Sequence, residues 1–395
     1  MKVTFLVCAA TLLRPFALAY YAAIKLLRPV QHKVTFISRQ SDSTPVDFVL
    51  LAAALTQLDR SLKVKILCCS EAVRSTRFLG QLRQTSCELW HIASSSAVVL
   101  DGYALSVSFF SQRKELYVLQ MWHTLGVVKR ISWQAVDTPG GRDSRIAQVF
   151  RMHANYTALL APSEALRENY RHAFRTARAR IKLLPLPRYD VLRNPDMNRL
   201  DMIIAHHQEF FAATPLVFYA PTFRDDAEES RQWIAALKKL AQAAEAQGVT
   251  LIAKTHLRET ALAEGQDDEL AQLSDLPNLI LNPAVDTLDL LAIVDHVITD
   301  YSGISFEAAV SGKPVWFYLY DYNDYVSKRG LNVDPMQQLP AACFTDAREL
   351  MDALIHSPLP SAAQEQFLHN FIQSPERVHI TAAQQIARLV LKGIQ

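Results

Sequence analysis

Short apolar runs alternate along this chain with longer segments in which apolar residues recur at helical spacing. The pattern predicts strands at Lys33 to Ser38, Val64 to Cys69, Ala97 to Leu100, Tyr117 to Met121 and Thr157 to Leu160. Helices are expected between them at about Pro45 to Asp59, from about Glu71, and at about Ser163 to Phe174. A second alternation starts at Leu216. It reads as a strand to Ala220, a helix at about Ala227 to Gln247, strands at Val249 to Lys254 and Leu279 to Leu281, and a helix from about Thr287. It ends in a β-α-β unit: a strand at His296 to Thr299, a helix at about Ile304 to Ser311 stopped by Gly312 and Pro314, and a strand at Val315 to Tyr320. Strand-helix alternation implies parallel sheets covered on both faces, so the expected fold is α/β, with two doubly wound Rossmann-like domains facing across a cleft.

The boundaries follow the same pattern. Residues 1–32 form an apolar leader, 33–195 a first domain ending in the proline-rich connector Pro185 to Pro195, 196–360 a second domain, and 361–395 C-terminal helices. Arg14-Pro15 is expected to interrupt the leader, leaving apolar pieces too short to span a bilayer. Ala17 to Arg28 then reads equally as a buried core helix or an interfacial membrane anchor.

At 395 residues the chain exceeds what one core usually supports, which agrees with two domains. Its formal charge of +2 carries no excess of the kind that marks a nucleic-acid binder. The five cysteines are odd in number and form no CxxC pair, so neither a disulfide framework nor a thiolate zinc site is indicated, and a reducing compartment fits. There is no GxxxxGK[ST] loop, GxGxxG turn, HExxH or GxSxG. His206-His207 lacks a third ligand at helical spacing and reads as solvent-facing.

Candidate chemistry sits at the predicted strand ends. Thr299 and Asp300 end a strand, Ser302 and Gly303 make the turn, and a helix opens at once, so unpartnered backbone N–H groups and the helix dipole favour an anion, usually a phosphate. The plainer reading is an ordinary Ser cap. His123 leaves a first-domain strand and suits general-base work, against the alternative of a packed structural histidine. Arg224 could fork onto a phosphate or form a surface pair with a neighbouring Asp. Lys254 and His256 could neutralise charge or move a proton, or belong to a solvated loop. Lys328, Arg329 and Gly330 extend the set.

At these residues the chain resembles the CDP-glycerol glycerophosphotransferase family, the teichoic-acid primases and polymerases of the GT-B type. The resemblance rests on QMWHTLGVVKR (Gln120 to Arg130), MHANY (Met152 to Tyr156), PTFRDD (Pro221 to Asp226), KTH (Lys254 to His256), TDYSGISFE (Thr299 to Glu307), and KPVWFYLYDYNDY followed by RG (Lys313 to Gly330). In order and spacing these motifs cover about Lys33 to Val333. Departures include Thr124 where the family has glycine after Trp-His, with the glycine displaced to Gly126; Leu257 after Lys254-Thr255-His256; Gly303 for a second serine; and Pro185 before the interdomain Pro-Arg.

The resemblance implies a reaction in which an acceptor hydroxyl attacks the polyol-bearing phosphate of CDP-glycerol or CDP-ribitol and CMP leaves. His123 would be the base, while His256 with Lys254 would hold the pyrophosphate and stabilise the departing CMP. Arg224 and Arg329 would be further phosphate contacts, Ser302 and Gly303 would present the helix N-terminus, and Glu307 would bond the ribose hydroxyls. Thr299 and Asp300 belong to the same donor set, Asp300 as support for the turn. No cofactor and no metal are expected, since cations and a helix dipole can do much of the work of Mg²⁺. The acceptor would be lipid-linked or polymeric, with peripheral membrane contact at the cytoplasmic face and no nucleic acid. A glycosyltransferase using a nucleotide sugar and a non-catalytic nucleotide-binding module are the alternatives.

Overall fold

The computed structural model describes residues 2–69, 78–208, 215–222, 224, 227–254, 273, 276–357, 361–374 and 380–395. The chain divides into two units: the first comprises Met1–His123, Ile131–Asp190 and Gln373–Gln395, the second Thr124–Arg130 and Val191–Ile372.

The first unit holds a six-stranded parallel sheet of β1 (Lys33–Ser38), β2 (Lys63–Cys68), β3 (Ala97–Leu100), β4 (Tyr117–Gln120), β5 (Ala158–Ala161) and β6 (Ile181–Leu183), ordered β2-β1-β3-β4-β5-β6. Every residue of β1, β3, β4 and β5 is buried, which is why these strands read as continuous apolar runs. Strand β6 escapes sequence reading because three residues among Arg178, Arg180 and Lys182 make no run. Pro185 to Pro195 is no loose connector: Pro185, Leu186 and Pro187 are buried, Arg188–Arg193 is helical, and Arg188 pairs with Asp47 at 2.6 Å. The chain also returns to this unit. Helix Ala382–Gly393 packs on helix Val46–Leu58, and the Asp190 carboxylate accepts the N–H groups of Ala382 and Ala383 at its start.

The leader differs from expectation. One helix runs from Lys2 to Leu27 through Pro15, although a proline there removes one ladder hydrogen bond. It belongs to the first unit, seated by Tyr21 and Ile24, by Lys25 donating to the Ser111 carbonyl, and by Arg14 over the Phe109 ring. Its length and composition would suffice to cross a membrane, and only 6% of its apolar window is buried.

The second unit holds a six-stranded parallel sheet of β7 (Leu216–Ala220), β8 (Thr250–Ala253), β9 (Leu279–Leu281), β10 (His296–Thr299), β11 (Val315–Tyr318) and β12 (Cys343–Phe344), ordered β12-β11-β10-β7-β8-β9. Of the C-terminal helices, Ser361–Phe371 stays here, with Phe367 stacked on Phe306 at 5.4 Å.

Candidate active site

Strand order places the candidate residues. In each sheet the order reverses once, between β1 and β3 in the first unit and between β7 and β10 in the second. Ligands of open α/β sheets bind beyond the carboxyl ends of the strands at such switch points.

In the second unit Thr299 ends β10, and its Oγ1 donates to the Ala220 carbonyl of β7 at 2.7 Å. Asp300, fully buried, spans the switch point: its carboxylate accepts the Thr222 N–H at 2.7 Å and its own neighbour's N–H, from Tyr301, at 2.6 Å. Its other oxygen accepts Arg224 Nη2 at 3.0 Å. Arg224 is placed differently from an open phosphate fork. It is 1% exposed and donates to Asp300, to Asp321 at 2.9 Å and to the Tyr320 hydroxyl at 3.0 Å, with the Tyr301 and Tyr325 rings stacked 3.7 Å apart beside it. Burial works against the guanidinium charge, but Asp300, Tyr320 and Asp321 outweigh it and hold the pKa well above the ordinary value. Burial pushes Asp321 up, with Arg224 opposing. The Asp300 carboxylate before the Ser302 turn is thereby neutralised from behind, and the turn is anchored to β7 and to the YDYNDY segment.

Ser302 and Gly303 follow, half-buried, and the helix Ile304–Val310 opens from Gly303. Gly303 has an ordinary φ of −64°, so conformational freedom does not explain it. Space does: a Cβ there would lie 2.8 Å from the Gly126 carbonyl oxygen and 3.0 Å from Thr124 Cβ. Gly126 in turn lies against the Phe306 ring, 2.4 Å from where its own Cβ would be. The displaced glycine of the Trp-His segment and the glycine replacing a second serine are therefore complementary. Residues 124–130 are sewn to this unit further along, through Arg130 N–H to Gly330 O at 3.1 Å and Asn332 N–H to Val128 O at 2.7 Å. Gly330 adopts φ +67°, and a Cβ would fall 2.9 Å from Arg130 Cδ.

Glu307 is buried on the same short helix. Lys254 follows β8 directly and donates to the Val285 carbonyl at 2.5 Å; burial pulls its pKa down, with Asp286 opposing. Arg329 closes helix Tyr322–Arg329, half-buried, with burial and then the Arg224 charge lowering its pKa. His256 lies outside the described residues.

In the first unit His123 leaves β4. Its Nδ1 is 3.0 Å from the Asp101 main-chain oxygen, which can only accept, so Nδ1 donates there and in the neutral ring the lone pair belongs to Nε2. Asp101 spans this unit's switch point much as Asp300 spans the other, accepting Ser38 Oγ at 2.5 Å and the Arg39 N–H at 3.0 Å from the end of β1. Burial raises its pKa to about 6, with the bonds from Ser38 and Arg39 opposing. Gln120, fully buried, accepts the Trp122 N–H and donates to the Gly102 carbonyl and the Tyr156 hydroxyl. His153 of the MHANY segment is a packed histidine: buried, 2.9 Å from the Tyr156 hydroxyl, and lowered to a pKa of about 3 by burial and the charge of Arg142.

Gln120, Asp101, Asp321 and the tyrosines were not assigned from sequence, although Gln120, Asp321 and Tyr301 lie inside the quoted motifs. Among the described residues no group of three His, Cys, Asp or Glu side chains is placed to hold a metal ion.

Two parallel sheets with this topology, each with polar residues at its switch point, define an α/β fold of the GT-B kind. The chain belongs to the CDP-glycerol:poly(glycerophosphate) glycerophosphotransferase family, whose model matches residues 20–391, and is a polyol-phosphate transferase of that family. Among curated relatives it is 28% identical over 320 residues to the teichoic acid ribitol-phosphate primase of Bacillus spizizenii, covering 78% of each chain. It is 26% identical over 269 residues to the teichoic acid glycerol-phosphate primase of the same organism, covering 67% of each. Its fold is similar to that of a variant of the wall teichoic acid polymerase TagF, with a TM-score of 0.73 at 19% identity over 100% of this chain and 98% of that one.

Proposed function

We propose that this protein moves glycerol phosphate or ribitol phosphate from its CDP-activated form to a hydroxyl of a lipid-linked or polymeric acceptor. His123 Nε2 takes the proton of that hydroxyl. The oxygen attacks the phosphorus bearing the polyol, the bond from that phosphorus to the bridging oxygen breaks, and CMP departs with the electron pair. Lys254, Arg329 and His256 offset the charge that gathers on the pyrophosphate, with the amides that follow Ser302. Glu307 is assigned to the ribose hydroxyls. Arg224 and Asp300 act from behind, as the anchor of the turn.

The observation that carries this reading is the 3.0 Å contact between His123 Nδ1 and the Asp101 main-chain oxygen, because a neutral imidazole with Nδ1 committed to a carbonyl accepts a proton at Nε2. The helix Lys2–Leu27 supports work at the inner face of a membrane: Phe5 is 76% exposed, Leu12 72% and Phe16 73%, while Tyr21 and Ile24 hold the other face to the protein.

The test supplies CDP-glycerol, CDP-ribitol and a UDP-sugar in turn with a polyol-phosphate acceptor and follows nucleotide release. CMP from a CDP-polyol is expected, with His123→Ala losing roughly 10²- to 10⁴-fold in turnover while donor binding persists. Release of UDP alone, or unchanged turnover in that variant, would remove the assignment.

A further inference from the structure

A cavity of about 630 Å³ opens in the first unit beside the edge strand β6, walled by helices Glu164–Phe174 and Ala382–Gly393. None of the described residues assigned to phosphate transfer lines it. Among the described residues its charged groups are Arg167, Lys182, Arg388 and Lys392, and no carboxylate of those residues lines it.

These cations come from three separate segments, so one helix's pattern does not explain them. Lys392 sits in a last helical turn, where the dipole favours a cation. That does not account for Arg388 one turn earlier, where a like charge at i,i+4 is unfavourable by itself. Neither Arg388 nor Lys392 has a carboxylate partner among the described residues, and Arg167 keeps a buried Nε–H without an acceptor although its Nη2 pairs with Glu164. Apolar residues such as Ile181, Leu184 and Leu389 line most of the rest, with Gln373 and Gln385 between them. Cations around apolar ground suit a ligand that alternates anionic and carbon-rich parts. The volume is that of a ligand site rather than of one phosphate ion.

We propose that this cavity binds a phosphodiester-bearing polymer strand, gripping two or more successive phosphates while the polyol carbons lie on the leucine and isoleucine surface. It would hold acceptor or product chain apart from the transfer chemistry and so favour repeated addition. Naming the strand a poly(polyol phosphate) rests on the activity proposed above; an affinity for a phosphodiester chain does not.

Arg388 and Lys392 are exposed, so replacing them should leave folding intact. Calorimetry would compare the full chain with R388A/K392A and R388E/K392E, using poly(glycerol phosphate) oligomers, glycerol 3-phosphate, inorganic phosphate and vesicles of phosphatidylglycerol as separate probes. The oligomer is expected to bind most tightly, with salt-sensitive affinity, and the alanine pair to weaken it roughly tenfold, the glutamate pair more. Single-addition turnover on a short acceptor should stay at the wild-type level while product length falls. Equal oligomer affinity in wild type and R388E/K392E would overturn the inference. So would free phosphate binding as tightly as oligomer, or a loss confined to vesicles. Absence of CMP release from any CDP-polyol in the wild type would instead strike the proposed activity and leave the oligomer result to stand by itself.

Discussion

Gln120 Oε1 accepts the Trp122 N–H at 2.9 Å, and Trp122 sits at φ +67°, a left-handed conformation that a bulky side chain rarely adopts. The bond holds the backbone immediately before His123 in a turn it would otherwise leave. Gln120 therefore decides where the imidazole emerges from β4. Gln120→Leu is expected to lower kcat by roughly 10²-fold with donor binding little changed, the cost of misplacing a catalytic group by about an ångström. Separate measurement of kcat and donor affinity checks this; a loss confined to donor affinity would contradict it.

Arg224 faces Asp300 and Asp321 together in a buried setting, so removing the guanidinium leaves two carboxylates without their counter-ion. Arg224→Met should destabilise the second unit by about 3–5 kcal/mol. Arg224→Met with Asp300→Asn should recover part of that loss, since the remaining site no longer holds two bare charges. Urea titration of the two variants tests the order.

Two buried groups in the first unit oppose each other in pH dependence. The folded-state pKa of His153 is depressed from 6.5 to about 3, so its contribution is present above pH 6.5 and is lost as pH falls toward 3. That of Asp101 is raised from 3.8 to about 6, so the folded state holds the extra proton, and its contribution is present below 3.8 and lost as pH rises through 6. Between about pH 4 and 6 the two slopes, each up to ~1.4 kcal/mol per pH unit, nearly cancel. Relative to wild type, Asp101→Asn should therefore lose stability on acidification from pH 6 to 4.5, and His153→Gln should gain it. Denaturant midpoints of the first unit at the two pH values give the signs directly.

Gly126 and Gly303 meet across a contact with no room for a methyl group. Gly126→Ala would push on the Phe306 ring and Gly303→Ala on the Gly126 carbonyl, each at about 1–3 kcal/mol, as expected for overpacking. Donor affinity should fall in both, because the displaced element is the Ser302 turn. Paired stability and CDP-glycerol binding measurements test this, and normal binding in both variants would separate the turn from the donor.

Chelation gives a further test. If Lys254, Arg329 and the backbone amides carry the developing charge, CMP release should survive EDTA. Complete loss restored only by Mg²⁺ would assign that charge to a metal instead.

Much of this architecture was legible in the chain itself. Strands such as Lys33–Ser38 and His296–Thr299 are buried on both faces, and burial of that kind writes itself into sequence as short apolar runs. The Ser302-Gly303 turn was legible too, since a strand, a small polar turn and a helix follow one another without interruption. What local pattern left open was decided by partners far away in the chain. Arg224 reads as a phosphate fork or a surface pair until Asp300 and Asp321, 76 and 97 residues on, enclose it. Gly126 looks like a slipped motif until Phe306 occupies the space its side chain would need, and the leader looks broken at Pro15 until the first unit's surface supports one continuous helix. Periodicity records which residues a segment buries, whereas the charge that neutralises a given carboxylate is fixed only when strand order brings distant loops to one sheet edge.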